Sequence, residues 1–142
     1  MHGAGYARRD MAHKTDVLAR LPIFATLEPR SMEAVAALAR VVAMPAGTVL
    51  LREGEAAESF YVIASGTVRI ERQGRFVRSM SDGGFLGEIA LVESGDRTAT
   101  ATCATDCELV ELGSHEFGRV MATFPDVRAR VEAAVARRPH AE

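Results

Sequence analysis

The sequence lacks the features that mark several large classes of protein. Its 17 basic and 19 acidic side chains leave a formal net charge of −2, so no overall basic field points to nucleic acid as a partner. Its uninterrupted apolar runs are only a few residues long, far short of the roughly 20 needed to span a bilayer. No apolar stretch follows Arg8 and Arg9 to indicate a signal peptide. We therefore expect a cytoplasmic protein with no transmembrane segment.

Histidine and cysteine are also scarce, which leaves little material for a metal site or for nucleophilic catalysis. The four histidines are scattered, and residues 41–112 contain none of them. Cys103 and Cys107 are the only cysteines, and we interpret them as reduced, partly buried thiols, although such a pair can also bind metal or form a disulfide. No Ser-His-Asp or Cys-His arrangement indicates catalysis, so we expect neither enzymatic activity nor a cofactor.

The residues that are present indicate one domain made of helices, then strands, then helices. The chain has 142 residues, of which 48% are hydrophobic and 25% charged, as in an ordinary globular domain. Residues 12–40 favour helices, since Pro29 suits a first helical turn and apolar residues recur after it near the helical period. Residues 114–138 return to that period, and Pro139 ends it.

Between these helical parts, residues 41–112 have the texture of a β-structure. Short apolar runs alternate with turn residues about every ten positions, which is typical of an antiparallel barrel or sandwich. The predicted strands are 41–44, 49–51, 60–63, 67–71, 76–80, 98–103 and 107–112.

One stretch, residues 83–99, does not fit a plain barrel. Its glycines allow close approach of the backbone to a ligand, and a short helical turn after them would present unpaired N–H groups to an anion. The guanidinium of Arg97 matches two oxygens of a phosphate, and the hydroxyl of Thr98 can add a further bond. Glu88 is a strong acceptor that suits a sugar hydroxyl. A ribose and a phosphate joined in one compact ring would use all of these groups.

This stretch resembles the phosphate-binding cassette of cyclic-nucleotide-binding domains, such as those of catabolite activators and cyclic-nucleotide-gated channels. The matching residues are Phe85, Gly87, Glu88, Ile89, Ala90 and Leu91, followed by Arg97, Thr98, Ala99 and Thr100. Earlier segments resemble the family's barrel strands, with glycines in place at Gly54 and Gly66. The likeness extends over about residues 21–138. It implies an α+β fold in which an eight-stranded antiparallel β-barrel, a cupin-like jelly roll, is flanked by helices, with the cassette at 84–99.

The resemblance also implies roles for individual residues. Arg97 would hold the cyclic phosphate, and Glu88 would accept a hydrogen bond from the ribose 2′-hydroxyl. Thr98 favours cGMP in eukaryotic relatives by contacting the guanine amino group, but the sequence leaves cAMP and cGMP both open. The expected ligand-binding residues are Gly87, Glu88, Ile89, Ala90, Arg97, Thr98, Ala99 and, from a final helix that covers the base, Arg138.

One departure from the family keeps other functions open. Asp96 stands where the family usually has proline, and a carboxylate facing a phosphate at ~4 Å would cost about 4 kcal/mol at an effective dielectric of about 20. We expect Asp96 to face solvent and the chain to be a regulatory module whose effector lies elsewhere. The alternatives are a degenerate fold-mate that acts as a protein-interaction module and, less favoured because paired histidines are missing, a cupin-type metalloenzyme.

Overall fold

The structure of the protein is a computed structural model that describes residues 3–56, 58–87 and 99–137. These ranges hold four helices: α1 (Gly3–Ala19), α2 (Pro29–Leu38), α3 (Ser114–Thr123) and α4 (Pro125–Arg137). They also hold eight strands, which are β1 (Arg40–Met44), β2 (Val49–Leu51), β3 (Ser59–Ser65), β4 (Val68–Arg72), β5 (Arg75–Met80), β6 (Phe85–Leu86), β7 (Thr100–Cys103) and β8 (Cys107–Gly113). No helix in these ranges combines the length and the apolar character that crossing a membrane requires.

The strands form two antiparallel sheets of four strands each. The order is β1-β8-β3-β6 in the first sheet and β2-β7-β4-β5 in the second. Their facing sides share one apolar cluster, here called the sheet interior, as in other sandwiches. Its buried members are Leu51, Tyr61, Ile63, Val68, Ile70, Leu86, Ala99, Ala101, Cys103, Cys107 and Leu109. Among the described strands, no pairing joins one sheet to the other.

The outer face of the first sheet is covered by the helices. Phe60 and Val62 of β3 belong to a second apolar cluster, here called the helical cluster, whereas Tyr61 and Ile63 face the sheet interior. Successive side chains of a strand point to opposite faces, so β3 is buried on both sides. This double burial explains why β3 is an almost continuous apolar run. From the helices, the cluster includes Val17, Leu18, Met32, Val35, Ala36, Phe117, Val120, Val127 and Val131.

A tight crossing at residues 81–84 connects the two sheets where the expected cassette begins. Gly83 has a φ of 86°, and its N–H donates to the carbonyl of Ile63 at 2.7 Å. The Ile63 N–H in turn donates to the carbonyl of Gly84 at 2.8 Å. The crossing takes the chain from β5 at one edge of the second sheet to β6 at one edge of the first. These two edge strands therefore lie on the same side of the sandwich.

The structure differs from the sequence expectation in one added strand and at several element boundaries; for example, β3 extends over Ser59–Ser65 and β7 begins at Thr100. The pattern does not predict β6, because two residues flanked by glycines are too few to show alternation. α1 begins at Gly3 rather than at residue 12, since residues 3–11 have little apolar periodicity. The second helix ends at Leu38 rather than near Arg40, because Arg40 already pairs with Glu111 across β1 and β8.

Candidate ligand-binding site

The stretch expected to bind phosphate is anchored at two described residues. Gly87 follows β6 and has a φ of 93°, in the region that favours glycine. Ala99 directly precedes β7 and is 7% exposed, as a member of the sheet interior. Gly87 thus follows a strand of the first sheet, and Ala99 precedes a strand of the second.

The predicted site residues divide between the described ranges and the rest of the chain. Gly87 and Ala99 are placed by the structure, one at each end of the stretch. The other expected ligand-binding residues lie outside the described residues; they are Glu88, Ile89, Ala90, Arg97, Thr98 and Arg138. Asp96 also lies outside them. Their roles in binding stay predictions.

Hydrogen bonds fix the point where the stretch enters β7. The hydroxyl of Thr100 accepts a hydrogen bond from the backbone N–H of Glu53 at 3.0 Å. The Glu53 carboxylate accepts one from the backbone N–H of Gln73 at 2.9 Å. The next residue, Gly54, has a φ of 85°, which explains glycine at that turn. The loop between β2 and β3 is thus tied both to the start of β7 and to the β4–β5 turn.

Gly66 holds the turn between β3 and β4 close to the β7–β8 connection. Its φ is 104°, and an added Cβ would lie 2.6 Å from the Asp106 carbonyl oxygen and 2.7 Å from the Cys107 Sγ. Its N–H donates to the Asp82 carboxylate at 3.1 Å. Only glycine fits this position without displacing its neighbours.

Arg78 of β5 is a further residue of interest that the cassette motif does not include. Arg78 is paired with Ile70 of β4, a residue 2% exposed in the sheet interior. Its Nε and Nη2 atoms are buried. A signal was present, since alternation along β5 places Arg78 on the same face as Met80, which packs against the sheet interior. A charged residue on the apolar face of a strand is uncommon.

The two cysteines lie in the sheet interior near the β7–β8 turn. Both are free and buried. Burial, together with a hydrogen bond to Cys107 and its charge, raises the pKa of the Cys103 thiol from 9.0 to about 12. Cys103 is therefore protonated at neutral pH and a poor nucleophile. Among the described residues, no three His, Cys, Asp or Glu side chains are grouped as a metal site would require.

The final helix packs on the helical cluster through its described residues. Val127 and Val131 of α4 are buried there. The Arg130 guanidinium donates to the carbonyl of Ile23 at 3.5 Å. The helix is thus attached to the segment between α1 and α2, on the outer side of the first sheet.

Two packed antiparallel sheets with helices on one side define a small β-sandwich domain, in which Gly87 follows a strand of one sheet and Ala99 precedes a strand of the other. The model of the family described as "Cyclic nucleotide-binding domain" matches residues 41–124. That range covers more than half of the chain and includes the whole candidate stretch. The chain therefore belongs to the cyclic nucleotide-binding domain family, which confirms the resemblance found in the sequence.

Known proteins extend this likeness over most of the chain. It is 30% identical over 116 residues to potassium/sodium hyperpolarization-activated cyclic nucleotide-gated channel 2 of Mus musculus, a match of 82% of this chain and only 13% of the channel. The fold is similar to the regulatory domain of Toxoplasma gondii PKA crystallised with cAMP, with a TM-score of 0.80, 20% identity, and 93% and 52% of the two chains covered. It is also similar to the regulatory subunit of a cAMP-independent protein kinase A from Trypanosoma brucei, with a TM-score of 0.82, 20% identity, and 95% and 48% covered.

Proposed function

We propose that this chain is a regulatory module that binds a cyclic mononucleotide, cAMP or cGMP, between residues 88–98 and the sheet interior. The observation that carries the proposal is the position of the cassette sequence. The cassette sequence, residues 84–99, includes β6 of the first sheet and ends directly before β7 of the second, within the range that the family model matches. The eight strands would form the two halves of a closed jelly-roll barrel around the ligand.

The chemistry of the cassette suits the two polar parts of such a ligand. The guanidinium of Arg97 would bind two oxygens of the cyclic phosphate in a bidentate pair, and backbone N–H groups at Gly87, Ile89, Ala90 and Thr98 would complete the anion site. The carboxylate of Glu88 would accept from the ribose 2′-hydroxyl. Ala99 would border the site from the interior, and Arg138 would contact the base.

The names of the similar proteins support this ligand class. The mouse relative is a cyclic nucleotide-gated channel, and the T. gondii domain was crystallised with cAMP. This chain spans only 13% of the channel. The similarity therefore does not extend to channel or kinase activity, and any control of such an activity by this chain is part of the proposal. The effector would be a domain or protein outside this chain.

The packing of the described helices suggests how ligand binding would change the conformation of the domain. α4 packs against the segment between α1 and α2 through Val127, Val131 and Arg130. If Arg138 contacts the base, ligand binding favours a different position of α4, and the helical cluster must then repack. A ligand shifts such an equilibrium only by its difference in affinity for the two states. The module would have no catalytic group or cofactor of its own, and it would act in the cytoplasm.

A second candidate is a fold-mate that has lost cyclic nucleotide binding and serves as a protein-interaction module. Asp96 in place of the usual proline favours it, because a carboxylate beside Arg97 can compete with phosphate for the guanidinium. One similar structure is the regulatory subunit of a protein kinase A that is described as cAMP-independent. The same fold therefore occurs in a protein of a kinase that does not depend on cAMP.

Calorimetric titration of the intact chain with cAMP and with cGMP tests the proposal. We expect binding of at least one nucleotide, and Arg97→Ala to weaken it by roughly 2–4 kcal/mol, about 30- to 1,000-fold. Arg128→Ala is the matched control, since the Arg128 side chain is 59% exposed and pairs with Glu132 on α4. No binding of either nucleotide by the folded wild-type chain would favour the interaction module, and an affinity change under threefold in Arg97→Ala would remove Arg97 from the site.

A further inference from the structure

The two cysteines of the chain lie where the second sheet continues into the first. Cys103 is the last residue of β7, and Cys107 is the first residue of β8. Residues 104–106 separate them and are exposed. Both cysteines are buried in the sheet interior, where Cys103 is 1% and Cys107 is 5% exposed. Because β7 and β8 belong to different sheets, a bond between the two sulfur atoms would link the sheets.

Hydrogen bonds bring the two thiols together around one carbonyl group. The carbonyl oxygen of Thr67 accepts from the backbone N–H of Ala104 at 2.9 Å and from the Sγ of Cys107 at 3.5 Å. Ala104 directly follows Cys103, so the Cys107 sulfur lies close to the end of β7. The Cys103 thiol is itself hydrogen-bonded to Cys107. Two thiols in such contact need only a small movement to reach the S–S bond length of about 2.05 Å.

The connection between the cysteines is fixed on both sides. The Asp106 carboxylate accepts a hydrogen bond from the backbone N–H of Ala46 at 2.9 Å, which ties the connection to the turn between β1 and β2. The Thr105 hydroxyl accepts one from the backbone N–H of Thr67 at 3.0 Å, which ties it to the turn between β3 and β4. Groups that are held in place beside each other react with a high effective concentration. The fold therefore prepares the two thiols to react with each other.

The two thiols differ in their expected reactivity. Burial, together with the hydrogen bond to Cys107 and its charge, raises the pKa of Cys103 to about 12, so Cys103 keeps its proton at neutral pH. Its S–H group can donate to the Cys107 sulfur, and such a bond stabilises a thiolate at Cys107. The thiolate is the form of cysteine that reacts with oxidants. Cys107 is therefore the thiol that an oxidant modifies first, and Cys103 is the thiol that closes a disulfide.

We propose that Cys103 and Cys107 form a redox-sensitive pair, which closes to a disulfide when the folded chain meets a hydroperoxide and so links the two sheets covalently. In the first step the Cys107 sulfur attacks one oxygen of hydrogen peroxide. An S–O bond forms as the O–O bond breaks, and the other oxygen leaves as water with the thiol proton. In the second step the Cys103 sulfur attacks the Cys107 sulfur. The S–S bond forms, and the hydroxyl leaves as a second water with the Cys103 proton. The two sulfur atoms lose two electrons, which the peroxide gains.

Mass spectrometry and thiol titration of the intact folded chain, treated with hydrogen peroxide, test the proposal. We expect the chain to lose the mass of two hydrogen atoms and both free thiols, and dithiothreitol to restore them. The rate should rise in proportion to the peroxide concentration, because the pair is already in contact in the folded state. Thiols that stay free, sulfinic acids in place of a disulfide, or a disulfide between two chains would overturn the proposal. A rate that stops rising with peroxide would do so too, since the reaction would then wait for unfolding.

Two single substitutions test the order of the steps. Cys103→Ala should stop the reaction at a sulfenic acid on Cys107, which dimedone traps. Cys107→Ala should leave Cys103 unmodified under the same conditions. Equal trapping in both variants, or trapping only at Cys103, would contradict the assigned order. Thermal unfolding shows whether each variant folds, and a serine substitution at the same position replaces one that does not.

The unfolding temperature tests the covalent link between the sheets. Closing this short loop should raise the unfolding temperature of the oxidised wild type by roughly 5–10 °C over that of the reduced protein. The same treatment should not raise the unfolding temperature of Cys103→Ala. A disulfide form that unfolds at the same temperature as the reduced protein, or at a lower one, would show that the bond does not hold the sheets together. These measurements use no nucleotide, so their outcome is independent of the proposed function.

Discussion

The two sheets of the sandwich differ in how they are buried. In the first sheet, β3 is buried on both faces, with Phe60 and Val62 under the helices and Tyr61 and Ile63 in the sheet interior. In the second sheet, β4 alternates between the buried Val68 and Ile70 and the exposed Arg69. The first sheet is therefore the framework that joins the interior to the helices. Among the described residues, no helix contributes buried residues to the cluster that contains the second sheet, and the outer face of β4 carries the exposed Arg69.

This contrast indicates where substitutions should be tolerated. A residue buried between two layers has packed neighbours on all sides, and its truncation leaves a cavity. In a sheet with one exposed face, a substitution costs little stability unless the residue faces the sheet interior or has a backbone conformation that favours glycine.

The largest effect is expected for Phe60→Ala in the first sheet. Phe60 is 1% exposed, and its ring centroid lies 4.6 Å from that of Phe117. Truncation should lower the free energy of unfolding by about 3–5 kcal/mol, as for other buried aromatic residues. Urea denaturation followed by circular dichroism measures it. The control is Phe76→Ala in the second sheet, where the side chain is 53% exposed and the loss should stay below about 1 kcal/mol. Similar losses in both variants would contradict the contrast between the sheets.

A smaller loss is expected for Gly66→Ala, at the turn that leads from the first sheet to the second. The left-handed backbone and the contact with the Asp106 carbonyl oxygen should together cost roughly 1–3 kcal/mol. Thermal unfolding checks this against Gly118→Ala in α3, where an added Cβ meets nothing within 4 Å. That variant should gain about 0.5–1 kcal/mol from better helix propensity. A Gly66→Ala protein as stable as wild type would show that the turn is not constrained as described.

Thr100→Val tests the hydrogen bond at the start of β7. The change keeps the shape of the side chain but leaves the Glu53 N–H without its acceptor, which should cost about 1 kcal/mol. Thr102→Val on the same strand is the control and should change stability by less than about 0.5 kcal/mol. If Thr100→Val also weakens nucleotide binding, the hydrogen bond at the start of β7 helps to position the cassette. If it weakens binding no more than Thr102→Val does, the hydrogen bond has no role in binding.

A pH-dependent effect concerns Cys103. Its folded-state pKa, about 12, lies above the ordinary value of 9.0, so the thiol favours the folded state fully below pH 9, and this contribution is lost as the pH rises toward 12. Between pH 8 and pH 10, wild type should therefore lose more stability in urea than Cys103→Ala. Equal losses in the two proteins would show that the thiol does not titrate differently in the folded state.

The sequence predicts the architecture well because the second sheet alternates and the first has short buried runs between glycine turns. It does not predict β6, which exists through its pairing of Tyr61 with Leu86 and Val62 with Phe85 and not through any local pattern. The motif predicts the cassette at residues 84–99, and of its expected ligand-binding residues the structure describes Gly87, directly after β6, and Ala99, directly before β7. The motif does not indicate Arg78; alternation along β5 places it on the face of Met80, but the burial of its Nε and Nη2 atoms depends on the pairing of β5 with β4.

The most direct test of nucleotide binding beside the second sheet is an amide NMR titration of the isotope-labelled intact chain with cAMP and with cGMP. The account predicts the largest shifts at Gly87, Ala99 and the paired residues Ile70 and Arg78, with small shifts in β1. A spectrum that changes with neither nucleotide, or only in the groove between α3 and α4 that Phe117, Met121 and Glu132 line, would contradict it.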